Sequence, residues 1–472
     1  MDIKKFLEIE NKYNLYHVDI DGINYWEYSR FEIWNYIFCT EKLSFQKAHR
    51  TQKQSHAIGL LGSMIKSAIR FYTSKQKNVD VCFITHERRV KENNYFDCMY
   101  TETLIKKYPN SVVLEKPYNY SHLQPIRTKN MYYTDWIIIF GNLYAKIHSV
   151  LKTRKYKQVY RQISEQLEKP FAEMKESYQL ETCLDKLVRL NTERYFICKK
   201  QYKIYEKLVK KFSPKVVVEV CHYSRQCMLI NEICNKMNIP TLELQHGTMH
   251  TEHAAYQYMT KDVISQLPTE ILLFSDYWKT QINLPIKPEH LIATGFPYFE
   301  SKVDEYKKQV NKDSRKTILF VSQGTIGKEL SLLAVNLSRR LKLNEYRILY
   351  KLHPGEYEGW SKNYVELAQA DIEVIAQSER GIYSYFAESD IQIGVYSTAI
   401  YEGIGFGLDT YIYNIGHADT MQSLVDGKYA QMFDTLDELL IYLKEPQDKK
   451  NGAVFWKKNA LENQCNAINK YL

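Results

Sequence analysis

Four short polar segments of this sequence have residue types that suit phosphate binding or proton transfer. They are Gln245-His246-Gly247, Ser322-Gln323-Gly324-Thr325, Lys351-Leu352-His353-Pro354 and Tyr396-Ser397-Thr398. Each follows a short apolar run, which is typical of a loop at the carboxyl end of a buried strand. Ligands of open parallel sheets bind at that edge. The sequence therefore predicts that these segments line a ligand site.

Three of the segments have features of a nucleotide-binding surface. Gly324 lets backbone N–H groups approach an anion, and a helix that begins near Ser397 attracts a phosphate. His353 can donate a hydrogen bond to a phosphate, and its positive form would stabilise a leaving diphosphate. Glu402, one turn into the following helix, would reach a ribose diol. The predicted nucleotide-binding residues are Ser322, Gln323, Gly324, Thr325, Lys351, His353, Pro354, Ser397, Thr398 and Glu402.

Each of these segments also has an ordinary explanation when it is taken alone. The loop from Ser322 to Gly327 matches neither common glycine-rich phosphate motif and is also typical of a strand-to-helix turn. A histidine before Pro-Gly suits helix capping as well as ligand contact, and Ser-Thr is a common N-cap. The functional hypothesis depends on the shared position of the segments at predicted strand ends.

The segment around His246 predicts a general base in the first half of the chain. A histidine at such a strand end can deprotonate an acceptor hydroxyl, so His246 and His353 are the predicted catalytic residues. Together with His246, the residues His250, Glu252 and His253 raise the alternative of a metal site. We predict no metal, because this glycine-broken loop lacks the helical HExxH spacing. Expected substrate contacts are Gln245, Gly247, His250, His86, Arg88 and Arg225.

Apolar runs and helical periodicity place these segments in two successive units of alternating strands and helices. The first unit has predicted strands at 79–84, 111–114, 136–140, 215–220, 241–244 and 269–274, with two long helices over 155–212. The second has predicted strands at 317–321, 347–351, 372–375, 390–395 and 410–414. Continuous apolar strands that alternate with helices indicate parallel sheets covered on both faces.

These patterns predict an α/β fold with two Rossmann-like, doubly wound parallel-sheet domains that face each other across a cleft. A helical N-terminal segment is expected over 1–75, and the first Rossmann-like domain, which carries a long helical insertion, over 76–300. The second Rossmann-like domain is expected over 301–452, and a closing helix over 453–472. The polar stretch 297–314 is the predicted linker, partly helical.

Composition favours a soluble globular protein of the cytoplasm. The net charge of +9 is dispersed along 472 residues, so no stripe for nucleic-acid binding is predicted. Nine cysteines without a CxxC pair indicate reduced thiols. The N-terminus lacks the apolar core of a signal peptide, and no apolar run approaches the roughly 20 residues of a spanning helix. Membrane contact is therefore expected to be peripheral, at the inner face of the cell membrane.

The order of motifs from Gln245 to Tyr413 resembles that of bacterial surface-polysaccharide glycosyltransferases of the GT-B fold. Its elements are QHG, SDYW, GFPYFES, FVSQGTIG, KLHPGE, VYSTAIYEG and TYIY. The layout is also similar to that of CMP-sugar transferases with an HP motif and of teichoic acid glycerophosphate transferases. The resemblance covers about residues 79–430.

The resemblance implies a transferase that acts without metal or cofactor on a CMP-, UDP- or GDP-linked sugar. His246 would be the base, His353 the donor phosphate or nucleotide contact with Ser397 and Thr398 beside it, and Glu402 the ribose contact. The acceptor would be a growing surface polysaccharide or a lipid-linked oligosaccharide.

Two alternatives to glycosyl transfer remain open at this point. A related scaffold would move a polyol phosphate from a CDP carrier, although this chain has Ser-Thr where those enzymes have Ser-Ser. It also has Lys351-Leu352 where they carry an arginine before the HP motif. The other alternative is a non-catalytic protein that binds a sugar nucleotide. Fold alone does not decide among these functions.

Overall fold

A computed structural model describes residues 3–41, 57–86, 89–118, 121–309, 313–377, 380–445 and 451–472 of the chain. Its two large sheets have seven and six strands, and every strand pair in them is parallel. Parallel neighbours require long crossovers, which place helices over the sheet faces. The two sheets confirm the predicted pair of Rossmann-like domains.

The first part of the chain contains three N-terminal helices and the first sheet. The helices are α1 (Ile3–Lys12), α2 (Arg30–Glu41) and α3 (Ala57–Thr73). The strands that follow are β1 (Val81–Ile84), the hairpin β2 (Val90–Glu92) and β3 (Tyr95–Asp97), β4 (Ser111–Glu115), β5 (Met131–Tyr133), β6 (Val216–Val220), β7 (Thr241–Leu244), β8 (Glu270–Leu273) and β9 (Leu291–Ala293). The helices between them are α4 (Glu102–Ile105), α5 (Asp135–Val150), α6 (Arg154–Tyr178), α7 (Leu184–Phe212) and α8 (Arg225–Lys236).

The second part begins with α9 (Pro297–Gln309), which occupies most of the predicted linker. Its strands are β10 (Lys316–Val321), β11 (Tyr346–Lys351), β12 (Glu373–Ile375), β13 (Ile391–Gly394), β14 (Asp409–Tyr413) and β15 (Gln431–Phe433). Its helices are α10 (Gly327–Arg340), α11 (Trp360–Asn363), α12 (Val365–Gln369), α13 (Ile382–Glu388), α14 (Thr398–Phe406), α15 (Gln422–Asp426), α16 (Leu436–Lys444) and the terminal α17 (Ala460–Asn469). None of the described helices is both long enough and apolar enough to cross a membrane.

Strand order gives each sheet a topological switch point. The first sheet runs β5-β4-β1-β6-β7-β8-β9 and the second β12-β11-β10-β13-β14-β15. In both, the chain builds outward from the first strand in one direction and then returns to build in the other. Sheets of this kind open a crevice at the carboxyl ends of the two strands where the direction changes. Those strands are β1 and β6 in the first domain, and β10 and β13 in the second.

The prediction of a strand over 136–140 is wrong. Trp136 to Phe140 lie in α5, and the edge strand is the preceding β5. Within α5 the buried residues Trp136, Ile137, Gly141 and Ala145 recur at helical spacing. A five-residue apolar run does not by itself separate a strand from a helix, and the outward-facing apolar residues of α5 concealed its period.

The N-terminal helices are attached to the first domain through a buried arginine. Arg30 donates to both carboxylate oxygens of Glu10, at 2.8 and 2.7 Å, and to the backbone carbonyls of Ala254 and Gln257. Trp26 also donates to Glu10, at 2.7 Å. Since Ala254 and Gln257 lie in the loop that follows β7, the N-terminal segment fixes the backbone of that loop.

The C-terminal segment returns to the first domain after the second sheet is complete. The backbone N–H of Lys457 donates to the carbonyl of Phe274 at 2.8 Å. Ala467 and Ile468 of α17 then pack in one core with Val81 and Val216 of the first sheet. This crossing ties the two domains together at a second place besides α9.

We expect the variant Arg30→Met to lower the free energy of unfolding by about 3–5 kcal/mol, because it leaves the Glu10 carboxylate buried without its partner. Arg189→Ala is the control, since Arg189 is 60% exposed in its pair with Asp185, and such pairs contribute about 1 kcal/mol or less. Urea unfolding followed by tryptophan fluorescence measures both. The double variant Glu10→Leu/Arg30→Met should be less destabilised than Arg30→Met alone, and equal midpoints for all variants would contradict the assignment.

Candidate functional site

Two of the predicted segments, one from each domain, meet across the cleft. The backbone N–H of Thr248 donates to Thr398 Oγ1 at 3.2 Å. Gly247 lies beside the same oxygen, which is 3.5 Å from the position that a Cβ on this glycine would take. The loop after β7, which carries His246, therefore contacts the first residue of α14.

Within the second domain, side chains connect the three predicted nucleotide-binding loops. Thr325 Oγ1 and the Tyr396 hydroxyl are hydrogen-bonded at 2.6 Å, which joins the loop after β10 to the loop after β13. Ser322 Oγ donates to one oxygen of the buried Glu356 at 3.0 Å, and the backbone N–H of His353 donates to the other at 2.7 Å. The loops after β10, β11 and β13 thus form one continuous edge.

His353 has both the capping and the exposed position that the sequence left open. It is the N-cap of the short 3₁₀ helix Pro354–Glu356, and its Nδ1 accepts from the backbone N–H of Gly355 at 3.1 Å. Because Nδ1 is an acceptor, Nε2 is the ring nitrogen that can donate. The side chain as a whole is exposed to solvent.

Not every predicted nucleotide contact points out of the domain. The Lys351 ammonium is buried, donates to the carbonyl of Leu352 at 3.0 Å and lies over the Tyr357 ring. Gln323 Oε1 is buried without a hydrogen-bond partner among the described residues. Gly324 is exposed and keeps an open path to the backbone of its loop.

The start of α14 combines a cap with a carboxyl group. Ser397 Oγ accepts from the backbone N–H of Ala399 at 3.2 Å, which confirms it as the N-cap. Glu402 is half-buried and accepts from the Tyr383 hydroxyl at 2.8 Å. Burial raises the pKa of Glu402 to about 7. At neutral pH this group can therefore be either an acceptor or a donor toward a hydroxyl.

In the first domain, His246 lies among aromatic rings. Its Nε2 is 3.1 Å from the Tyr223 hydroxyl, and its backbone carbonyl accepts from the Tyr100 hydroxyl at 2.7 Å. The His86 ring lies nearly parallel to it, with 6.0 Å between centroids. Glu243 Oε1 lies 3.9 Å from Nδ1. The imidazole is thus oriented on several sides, with a carboxylate near the nitrogen opposite Tyr223.

Sequence reasoning missed Glu243, which is completely buried within β7. It accepts from the backbone N–H of His222 at 3.1 Å and from the Tyr256 hydroxyl at 2.8 Å, and its Oε2 lies 2.7 Å from His222 Nδ1. Burial opposes the charge on both groups. Their mutual attraction nevertheless lowers the pKa of Glu243 and raises the pKa of His222. The available signal was a charged residue inside a buried strand, which is costly without a partner.

Two of the three histidines of the alternative metal site, His250 and His253, lie in aromatic packing. Burial lowers the pKa of His250 to about 4, and the backbone N–H of Glu252 donates to its Nδ1 at 3.2 Å. Burial, with the neighbouring histidines, holds the pKa of His253 well below its usual range. The His253 ring stacks on Phe31 of α2, at 5.2 Å. Within the described ranges, no three His, Cys, Asp or Glu side chains are arranged to hold a metal ion.

The other predicted substrate contacts of the first domain are Gln245, Arg225 and Arg88. Gln245 is buried and shapes the loop, since it donates to the carbonyl of Gly247 at 2.8 Å and accepts from the backbone N–H of Phe274 at 2.7 Å. Arg225 is half-buried at the start of α8, and its Nε has no hydrogen-bond partner in the described part of the chain. Arg88 lies outside the described residues.

A second polar cluster lies beside the loop after β4. His122 Nδ1 is 2.9 Å from Glu115 Oε1, and His122 Nε2 is 2.9 Å from Asp135 Oδ2. Arg89 also pairs with Glu115. Burial alone would lower the pKa of His122, but the two carboxylates outweigh it and raise the pKa to about 9. The protonated ring therefore clamps this loop to the start of α5.

The two-domain arrangement is similar to that of several solved structures. The UDP-GlcNAc 2-epimerase from Methanocaldococcus jannaschii has a TM-score of 0.50 at 9% identity, with 83% of this chain and 99% of that chain covered. The Neisseria meningitidis UDP-GlcNAc 2-epimerase bound to UDP-GlcNAc has a TM-score of 0.49 at 11% identity, with 83% of this chain and 100% of that chain covered. The wall teichoic acid polymerase TagF soaked with CDPG has a TM-score of 0.44 at 13% identity, with 88% of this chain and 94% of that chain covered.

No family model and no curated protein sequence matches the chain. The likeness to the Methanocaldococcus jannaschii structure confirms the GT-B-like arrangement of two Rossmann-like domains. At 9% identity it shows the fold alone.

Replacement of His122 by Asn should reveal a stabilising charge that depends on pH. The folded pKa of about 9 lies above the ordinary value of about 6.5, so the stabilisation is complete below the ordinary value. It is lost as pH rises through 9. We therefore expect the Tm difference between parent and His122→Asn to be largest near pH 6 and to shrink toward pH 10. His17→Asn, in a more exposed pair, is the control. A difference that is constant over this range would contradict the clamp.

Proposed function

We propose that this protein is a glycosyltransferase that moves a sugar from a nucleotide-sugar donor to a surface polysaccharide or a lipid-linked oligosaccharide. The observation that carries the proposal is the hydrogen bond from Thr248 to Thr398, which brings the His246 loop to the N-terminus of α14. A donor phosphate at that helix end would hold its sugar close to His246. Two reacting groups held in this way react faster than in free solution.

The first domain would supply the general base. His246 would take the proton of the acceptor hydroxyl, at the position where Nε2 now meets Tyr223. The imidazolium that forms would lie next to the Glu243 carboxylate, 3.9 Å from Nδ1, which stabilises the positive charge. His222 and Tyr256 hold that carboxylate in place, so it does not collapse onto the ring.

The second domain would bind the nucleotide. His353 and Gly324 lie on the loops after β11 and β10, which hydrogen bonds connect to the loop that leads into α14, and the diphosphate would lie along this edge. Glu402 would accept from the ribose, supported by Tyr383. The Methanocaldococcus jannaschii protein with this fold is a UDP-GlcNAc 2-epimerase, which makes UDP-linked sugars the first donors to test beside CMP- and GDP-linked ones. The proposed chemistry requires no cofactor.

The nucleotide of the donor can be identified by ligand stabilisation. We expect one of UDP, CMP, CDP or GDP to raise the Tm, since a ligand at about 100 times its Kd adds about 2.7 kcal/mol to the free energy of unfolding. Differential scanning fluorimetry measures the shift, and the other nucleotides are the controls. Stabilisation by CDP together with transfer from a CDP-polyol would instead support a polyol phosphotransferase. Absence of a shift with all four nucleotides would contradict the proposed donor site.

Replacement of the two proposed catalytic histidines should affect different steps, namely turnover for His246 and donor binding for His353. His246→Ala should lower kcat by about 100- to 10,000-fold, because the general base is lost, with the nucleotide-induced Tm shift retained. His353→Ala should weaken donor binding by about 10- to 100-fold, because a hydrogen bond to a charged group is lost. Transfer of a radiolabelled sugar and nucleotide titration measure the two effects. His290→Ala, at the amino end of β9, is the control.

Glu243→Gln separates the base from the group that supports it. This variant keeps the shape of the side chain but removes its charge, so kcat should fall while the nucleotide-induced shift stays at the parent value. The pKa of His222, measured by NMR, should fall as its partner loses charge. Parent rates in both His246→Ala and Glu243→Gln would refute the site. Epimerisation of the donor sugar without an acceptor would refute transfer.

A further inference from the structure

One face of the first domain exposes an unusual amount of apolar surface. It is formed by α3 and α5, which pack side by side at the β5 edge of the first sheet. We call it the α3–α5 face, and its exposed apolar residues are Ile65, Ile69, Tyr72, Phe140, Leu143, Ile147, Val150 and Leu151. Ile69 is 57% exposed, Leu143 51% and Val150 67%. Large exposed apolar patches mark binding surfaces rather than ordinary protein exterior.

The spacing of these residues shows that they form continuous rows. Ile65, Ile69 and Tyr72 recur at intervals of four and three along α3, so they lie on one side of that helix. Phe140, Leu143, Ile147 and Val150 do the same along α5. The opposite side of α5 is buried through Ile137, Gly141 and Ala145. α5 therefore has apolar residues on its exposed side as well as on its buried side, which marks the exposed side as a binding surface.

The two sequence stretches that carry the face contain basic residues and no acidic ones. No Asp or Glu occurs from residue 57 to 79 or from 136 to 164. The exposed basic side chains in these two stretches are Lys66, Arg70, Lys75, Lys77, Lys146, Lys152, Arg154, Lys157 and Arg161. Apolar rows on helices with a basic border are the pattern of a surface that lies on anionic lipid.

We propose that the α3–α5 face docks on a bilayer that contains anionic lipids, with the apolar rows between the acyl chains and the basic side chains at the headgroups. A second copy of the chain fits less well, because a two-fold contact would bring identical basic borders together. A bilayer satisfies both features at once. This inference goes beyond the proposed function and does not depend on it. If both hold, the membrane lies against the domain that contains His246, where a lipid-linked acceptor would arrive.

Vesicle binding tests the proposal directly. The full-length protein is mixed with vesicles of phosphatidylcholine alone or with phosphatidylglycerol, and bound protein is separated by flotation. We expect binding to the anionic vesicles that high salt weakens, since the basic contribution is electrostatic. The triple variant Ile69→Glu/Leu143→Glu/Ile147→Glu should bind the anionic vesicles at least about tenfold more weakly than the parent, because three apolar contacts become charged.

The control is a triple variant with the same change at exposed apolar positions outside the face, namely Val263→Glu/Val365→Glu/Ile441→Glu. It should bind vesicles like the parent. All six positions are exposed, so both variants should keep the parental Tm and the nucleotide-induced shift. If the face variant binds nucleotide normally but no longer binds vesicles in the flotation assay, membrane docking is separate from the donor site.

Three outcomes would overturn the inference. The first is a parent protein that does not bind anionic vesicles at low salt. The second is equal vesicle binding by the face variant and the parent. The third is a parent that sediments as a dimer while the face variant sediments as a monomer, which would assign the face to a second copy of the chain.

Discussion

Parallel strands cannot be joined by tight turns, and this constraint organises the whole molecule. Every strand of the two large sheets must be followed by a crossover that begins at the carboxyl edge. The polar loops that follow the strands of a domain therefore lie at one edge of its sheet. When the two domains face each other, the loops of both domains line one cleft. The hydrogen bond from Thr248 to Thr398 shows that they do so in this conformation. The α9 helix and the returning segment around Lys457 fix the geometry of that approach.

The strand ends were predictable from the sequence because their signal is local. Apolar runs such as Val216–Val220 are buried at every position, and a polar loop follows each of them. The same local view failed for Trp136 to Phe140, where a helix is apolar on both sides. It also missed the edge strands β9 and β15, of three residues each, although it found the equally short edge strand β12.

The supporting residues of the site were not predictable in this way, since their partners are distant in the chain. Tyr100 reaches the backbone of His246 across 146 positions, and Phe31 meets His253 from the N-terminal helices. Glu356 accepts from Ser322, which lies 34 positions earlier in the chain. Nothing in the immediate sequence of these residues separates them from surface or core positions of the same type. The sequence located the loops, and tertiary packing selected the side chains that orient them.

The buried carboxylates near His246 are positions at which the fold is less stable than it would be with apolar residues. Glu219 and Glu243 are register partners on β6 and β7, and both are completely buried. Burial, together with the nearby Glu243, raises the pKa of Glu219 to about 7 even though Asn231 donates to it at 2.8 Å. Two carboxylates side by side would repel each other if both were charged, and His222 lies where its positive charge offsets Glu243. An apolar pair would be a simpler way to fill these positions. The fold keeps a negative charge at 3.9 Å from His246, which an apolar pair would not provide.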